Sequence, residues 1–348
     1  MQRENPLDDV SISSLDSAGF CSLYDNWLEH CKNGWAIKVN VERIPQIREL
    51  FIAGMGGSGI AGEVLRDWLE PLISVPIRIV KDYNLPLHAK SGLLVAVSCS
   101  GNTQEILSLV KEGAERNLKI VGLSSGGALS NLAKRAGFPL IESKMISSPR
   151  TSFPYLFFPL VNLLEQIGIY DGRKEVEESF KQLKETLSEI HSKKPFETNY
   201  AKQLADWLKD GIPVIYGANW NRAVGLRFKN QLNENAKIHA YSETLPELCH
   251  NEIAAWDPSP KFPFRPILLR NDREPKEISS RFELLQALLE KKGVEMREIN
   301  VSWKGPLPTA LAQLLIVDYV SVYTALLRGI DPSSTETIES FKKNVGAN

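Results

Sequence analysis

Apolar positions along this chain follow two rhythms, and the rhythm switches at regular places. Leu15, Phe20, Leu23, Trp27 and Leu28 recur at helical spacing, so the first thirty-odd residues read as helical. Short apolar runs then alternate with helical stretches. Residues 49–53 read as a strand ending at glycines, 59–70 as a helix, 75–80 as a strand and 93–97 as another. A helix over 103–116, a strand over 119–123, a helix over 128–136 and a short fifth strand over 138–141 follow. Residues 153–168 form an apolar helix in which Pro159 marks a kink or a boundary. Strands alternating with helices require crossovers, hence a parallel sheet covered on both faces.

The second half repeats this grammar. The run Pro213-Val214-Ile215-Tyr216 reaches Gly217 as Leu50-Phe51-Ile52-Ala53 reaches Gly54. A helix containing Leu226, Phe228 and Leu232 follows, then strands over 236–241 and 266–269, a helix over 275–292 and a strand over 294–301. Helices over 309–327 and 335–343 close the chain. Between the halves, the Glu/Lys pattern from Asp171 to Lys194 suits a solvated helix, with the boundary at Lys194-Pro195. The expected class is α/β, with two tandem doubly wound parallel-sheet domains plus C-terminal helices. Residues 1–170 form the first domain, 171–194 a helical linker and 195–348 the second.

Composition narrows the function. At 348 residues and a net charge of −1, with no basic run, the chain has no nucleic-acid footprint. The N-terminus, MQRENPLDDVS, has no apolar core of a secretory signal. The apolar stretch from Leu311 to Leu327 contains Asp318 and is read as too short to span a bilayer. Cys21, Cys31, Cys99 and Cys249 show no CxxC pairing, which argues against a zinc site or disulfide framework and suits reduced thiols in a cytoplasm.

Two loops carry candidate chemistry. Gly54-Met55-Gly56-Gly57-Ser58-Gly59 lies between a strand and a helix, where glycines let backbone amides approach an anion. The same loop fits a tight turn without ligand. It also fits a dinucleotide fingerprint, with Asp82 at the end of the next strand. The second loop, Ser98-Cys99-Ser100-Gly101-Asn102-Thr103, places three hydroxyls within six residues at another strand end. Capping a helix uses one of them; three together favour an oxyanion such as phosphate. GGSG followed by SxSGNTxE resembles the sugar isomerase (SIS) domain, which implies a flavodoxin-like sheet. Ala218-Asn219-Trp220-Asn221 and Arg270-Asn271-Asp272-Arg273 look like the same two loops without their phosphate-binding residues.

Further segments sharpen the resemblance. Lys229-Asn230-Gln231-Leu232-Asn233-Glu234-Asn235-Ala236-Lys237, then Glu247-Leu248-Cys249-His250-Asn251-Glu252, and Arg150-Thr151-Ser152-Phe153-Pro154-Tyr155 resemble the bifunctional phosphoglucose/phosphomannose isomerase family over nearly the whole chain. Cys249 and the SWKGPLPTALA stretch depart from it. The resemblance implies an aldose–ketose isomerase that moves hexose 6-phosphates through a cis-enediol, needing no metal or redox cofactor. It implies Glu234 as the base, His250 as the ring-opening group and Arg150 as the stabiliser of enediolate charge. Lys342 is implied as the C-terminal lysine, with Lys343 its neighbour. Gly57, Ser58, Ser98, Ser100 and Thr103 are implied as the phosphate site, and a homodimer as the assembly, with His250 supplied across the interface. The stretch from Ser333 to Thr335 is a candidate for setting preference at C2 and C3. A sugar-phosphate sensor would keep the serine loops without needing Glu234, His250 or Arg150. A glucosamine-forming amidotransferase would need a glutaminase domain, of which the sequence gives no sign.

Overall fold

The computed structural model describes residues 7, 12, 14–257 and 259–346, so most of the MQRENPLDDVS segment lies outside the described residues. Two short helices, α1 (Phe20–Asp25) and α2 (Trp27–Trp35), precede the first sheet. They bury Phe20, Tyr24 and Trp27, three of the positions that gave the N-terminal helical pattern its apolar stripe or lie beside it. The first sheet then assembles from β1 (Leu50–Gly54), α3 (Gly56–Leu69), β2 (Ile77–Val80), β3 (Leu93–Val97), α4 (Gln104–Glu115), β4 (Lys119–Ser124), α5 (Gly127–Ala136) and β5 (Leu140–Glu142). Its order is β2-β1-β3-β4-β5, parallel throughout. β1 and β3 are buried at every position, which is why each reads as an unbroken apolar run. This is the flavodoxin-like order, and its switch point lies between β1 and β3, where open α/β sheets bind ligands.

The helix α6 (Phe153–Gln166) runs through Pro159 rather than ending there. A proline cannot donate to the carbonyl four residues back. Here the Ser143 hydroxyl donates to the Tyr155 carbonyl at 2.7 Å instead. The charged segment becomes α7 (Arg173–Ile190), which buries Val176, Ser179, Gln182, Leu183 and Ile190 along one face. A helix absent from the sequence reading, α8 (Tyr200–Leu208), comes next.

The second sheet is built from β6 (Ile212–Ala218), α9 (Arg222–Gln231), β7 (Tyr241–Leu245), β8 (Phe264–Asn271), α10 (Lys276–Lys291) and β9 (Arg297–Val301). Its order, β7-β6-β8-β9, repeats that of the first sheet without a fifth strand, and it too is parallel. The expected strand at 236–241 is corrected: residues Leu232–Ala236 form a π-helical turn after α9, and pairing starts only at Tyr241. Ile238 and Ala240 gave the alternation, but they pack against the core without joining the ladder.

α11 (Pro306–Leu327) is a 22-residue helix, apolar and long enough to cross a bilayer, which corrects the shorter span read from the sequence. It is 94% buried inside the protein over its most apolar window. One apolar cluster joins Ile52, Val95 and Val121 of the first sheet to Ile215, Ile267 and Ile299 of the second, with α11 contributing Leu311, Leu314 and Val317 among others. α12 (Glu336–Gly346) follows, largely exposed over its described side chains.

Candidate active site

Both loops singled out in the first half sit at the carboxyl ends of β1 and β3. Gly56 begins α3 with a φ of +50°, a left-handed conformation suited to glycine. A Cβ on Gly57 would lie 2.9 Å from the backbone nitrogen of Arg150, so only glycine allows the chain to pass so close. The buried Ser58 hydroxyl accepts from the Cys99 N–H at 3.1 Å and thereby ties the two loops together. Ser98 and Thr103 share a hydroxyl–hydroxyl hydrogen bond of 2.9 Å, and the Ser98 hydroxyl also accepts from Gly101 N–H at 3.1 Å. Ser100 is exposed, its oxygen accepting from Asn102 N–H at 3.3 Å. Thr103 stands at the N-cap of α4 with its side chain directed to Ser98 rather than capping the helix. The first amides of α3 and α4 have no partners within their helices and carry the positive ends of the helix dipoles. Together they form a surface suited to a phosphoryl group.

A third loop was missed by the sequence reading. After β4, the Ser125 hydroxyl and N–H both reach the Cys99 carbonyl, at 2.6 and 3.1 Å. A Cβ on Gly101, at φ +72°, would fall 1.8 Å from the Gly126 carbonyl oxygen. Ser124-Ser125-Gly126-Gly127 thus buttresses the hydroxyl loop from behind. Its composition alone reads as a turn.

The first-half loops meet the second half through Arg150. Its guanidinium is 4% exposed and packs over the Phe20 ring at 5.1 Å. Nε donates to Asn235 Oδ1 at 2.8 Å, and Nη2 donates to the carbonyls of Pro332 and Ser333 at 2.8 and 3.2 Å. Nη1 donates to Glu234 Oε2 at 3.2 Å. Asn235 is fixed in turn, its amide donating to the Ser321 hydroxyl at 2.9 Å. The Arg150 carbonyl accepts from Arg227 Nη2 at 2.9 Å. Arg227 forms a two-pronged ion pair with Asp318, at 2.6 and 2.8 Å, with both side chains at 2% exposure or less. Gln231 bridges Asp318 to the Tyr24 hydroxyl.

The π-helical turn explains why neighbouring Glu234 and Asn235 both reach Arg150. Widening the helix by one residue turns the two side chains toward one partner at the end of α9. Lys237 closes the turn at φ +56°. Glu234 is 26% exposed and opens into a cavity of about 490 Å³ lined also by Asn233, Lys237, His239 and residues 334–338. Neither hydroxyl loop lines that cavity; the link to them runs through Arg150 and its backbone contact with Gly57.

The other expected residues stand apart within one chain. His250 is exposed, in the short helical turn Glu247–His250 beyond the carboxyl end of β7. Glu234 precedes that strand, whose five residues span roughly 16 Å. The histidine lining the Glu234 cavity in the same chain is His239. Lys342 lies exposed on α12, one turn beyond the cavity-lining Ile338 and so on the same helix face. Lys343 is turned about 100° away from it by helix geometry.

The fold is shared with solved structures of sugar-isomerase type. A glucose-6-phosphate isomerase-like protein of Thermus thermophilus superposes with a TM-score of 0.67 at 17% identity, covering 97% of this chain and 98% of its own. Residues 197–345 match the model of the bacterial phospho-glucose isomerase C-terminal SIS domain. A bifunctional phosphoglucose/phosphomannose isomerase of Caldicellulosiruptor bescii is 31% identical over 318 residues, 90% of this chain and 93% of that protein. A D-glucosamine-6-phosphate 4-epimerase of Sulfolobus acidocaldarius is 30% identical over 260 residues, 72% of this chain and 78% of that protein. The chain belongs to the bifunctional phosphoglucose/phosphomannose isomerase family.

Proposed function

We propose that this protein is an aldose–ketose isomerase that interconverts glucose 6-phosphate, and mannose 6-phosphate, with fructose 6-phosphate. The observation that carries the reading is the Arg150–Glu234 pair, held by the second half and placed against the glycine loop of the first. A carboxylate that is paired yet open to a cavity can take and return a proton. A fixed guanidinium beside it can hold the negative charge that develops on the sugar oxygens.

In this reading Gly57, Ser58, Ser98, Ser100 and Thr103 hold the 6-phosphate. Binding at that remote group orients the reacting carbons. His250 opens the sugar ring. Glu234 removes the proton from C2 of the open aldose, giving a cis-enediol, and returns a proton at C1. Lys342 serves the ring-opening region. The route calls for no metal or redox cofactor. The family resemblance implies that His250 comes from the second subunit of a homodimer, and the placement of Glu234 and His250 on opposite sides of β7 within one chain is compatible with that. The four thiols are free, which suits a reducing cytoplasm.

The test is direct. Purified protein supplied with fructose 6-phosphate and a chelator is expected to form glucose 6-phosphate, followed through a coupled dehydrogenase, and mannose 6-phosphate, followed by NMR. Binding of the sugar phosphate without turnover would replace the isomerase by a sensor. Turnover only of glucosamine 6-phosphate at C4 would move the chain to the epimerase reaction of its Sulfolobus relative.

A further inference from the structure

The segment between α11 and α12 is fastened to the site at several points. The Ser17 hydroxyl donates to Asp331 Oδ2 at 2.5 Å, and Arg150 holds the carbonyls of Pro332 and Ser333. Beyond Ser333 the chain becomes the wall of the Glu234 cavity, formed by residues 334–338. At that junction stands Lys237, on which the roles proposed above place no demand. Its ammonium donates to the main-chain carbonyl of Glu234 and, at 2.7 Å, to that of Ser334.

We propose that Lys237 is a positioning residue for proton transfer. Its ammonium clamps the C-terminal segment at Ser334 to the turn that presents Glu234, and so sets the width of the cavity in which the carboxylate works. This rests on the isomerase reading of the Glu234 site.

Three features favour a clamp over a surface lysine. First, both acceptors are carbonyls in irregular backbone, one in the π-helical turn and one in the connection before α12. Such carbonyls lack ladder partners, and one ammonium with three N–H donors can serve both. Second, Lys237 itself sits at φ +56°, a left-handed conformation uncommon for a side chain with a Cβ, and its N–H caps the turn through the Leu232 carbonyl. The side chain folds back so that its ammonium reaches the Glu234 carbonyl. Third, burial and then the nearby Arg150 charge both work against the protonated amine and lower its pKa. The Glu234 and Asp331 carboxylates act in the opposite direction and offset part of that effect. With Arg150, Lys237 makes a pair of cations that both bridge the Glu234 turn to residues 332–334.

Lys237→Met is the test. The side chain is only partly desolvated and lies outside the core, so the substitution leaves no cavity there. Amide exchange in peptides covering residues 334–342 is expected to quicken roughly tenfold, with exchange in β1 and β3 unchanged. kcat is expected to fall at least about tenfold while KM moves little, because a loosened wall misplaces the reacting carbons and leaves the phosphate grip intact. Lys237→Arg, which keeps donors on a long stem, is expected to restore slow exchange and most of kcat. Unchanged exchange at 334–342 in Lys237→Met would overturn the clamp. Faster exchange with unchanged kcat would overturn its role in positioning. Failure of the wild-type protein to turn over hexose 6-phosphates would instead overturn the isomerase reading, while the exchange comparison would still decide the clamp.

Discussion

Glu234→Gln is expected to lower kcat for fructose 6-phosphate by about 10²–10⁴-fold, the usual contribution of a placed general base. KM should change by less than about threefold, since the phosphate grip lies in the other half of the chain. The amide is nearly the same shape and can still accept from Arg150 Nη1, which now reaches Oε2 at 3.2 Å. The surrounding network of Asn235, Ser321, Pro332 and Ser333 does not depend on the carboxylate charge. The variant therefore tests proton transfer rather than folding. Steady-state rates with fructose 6-phosphate check it, alongside a thermal melt expected to match the wild type. A kcat within a few-fold of wild type would remove Glu234 from its assigned role.

Asp318→Asn is expected to give the largest loss of stability. The carboxylate is fully buried in α11 and forms the two-pronged pair with Arg227. Removing its charge leaves a guanidinium at 2% exposure without its counter-ion. Breaking a buried pair on one side costs about 3–5 kcal/mol. For a chain of 348 residues this corresponds to a fall in Tm of roughly 5 °C. The effect should reach the site as well, because Arg227 also holds the Arg150 carbonyl, and α11 carries Ser321, which orients Asn235. Arg227→Met combined with Asp318→Leu, which removes both charges, should recover part of the lost stability. Calorimetry of the wild type and the two variants decides the matter; a single Asp318→Asn change with an unaltered Tm would mean that the pair does not anchor α11.

The sequence announced the fold wherever burial was complete on both faces. β1 and β3 are such strands, and their apolar runs end at the two loops that face a ligand. β7 was placed too early because Ile238 and Ala240 mimic a strand while packing outside the ladder, and because the true strand, Tyr-Ser-Glu-Thr-Leu, is a polar edge strand. α8 was overlooked although its signals are present. Asn199 caps it by accepting from Lys202 N–H at 3.2 Å, and Ala201, Leu204, Ala205 and Leu208 form its buried stripe. The three close hydroxyls suggested an oxyanion site by their residue types, whereas Glu234, His250 and Arg150 were singled out through the family resemblance. The assembly of the site was not readable, since Arg150 and Glu234 are 84 positions apart and meet only through a π-helical turn that no periodicity reveals. Lys237 escaped for the same reason: its partners are main-chain carbonyls, which leave no trace in residue types.

The enediol route makes one demand that binding, sensing or a direct hydride shift does not. A hydrogen leaving C2 as a proton passes through Glu234, where it can exchange with water. Fructose 6-phosphate converted in D2O and stopped at partial conversion should therefore carry deuterium at C2 of the glucose 6-phosphate formed and at C1 of the fructose 6-phosphate recovered, as read by NMR. Glu234→Gln should lose this labelling in step with turnover. Labelling, or conversion, by Glu234→Gln at the wild-type rate would contradict proton transfer through this carboxylate.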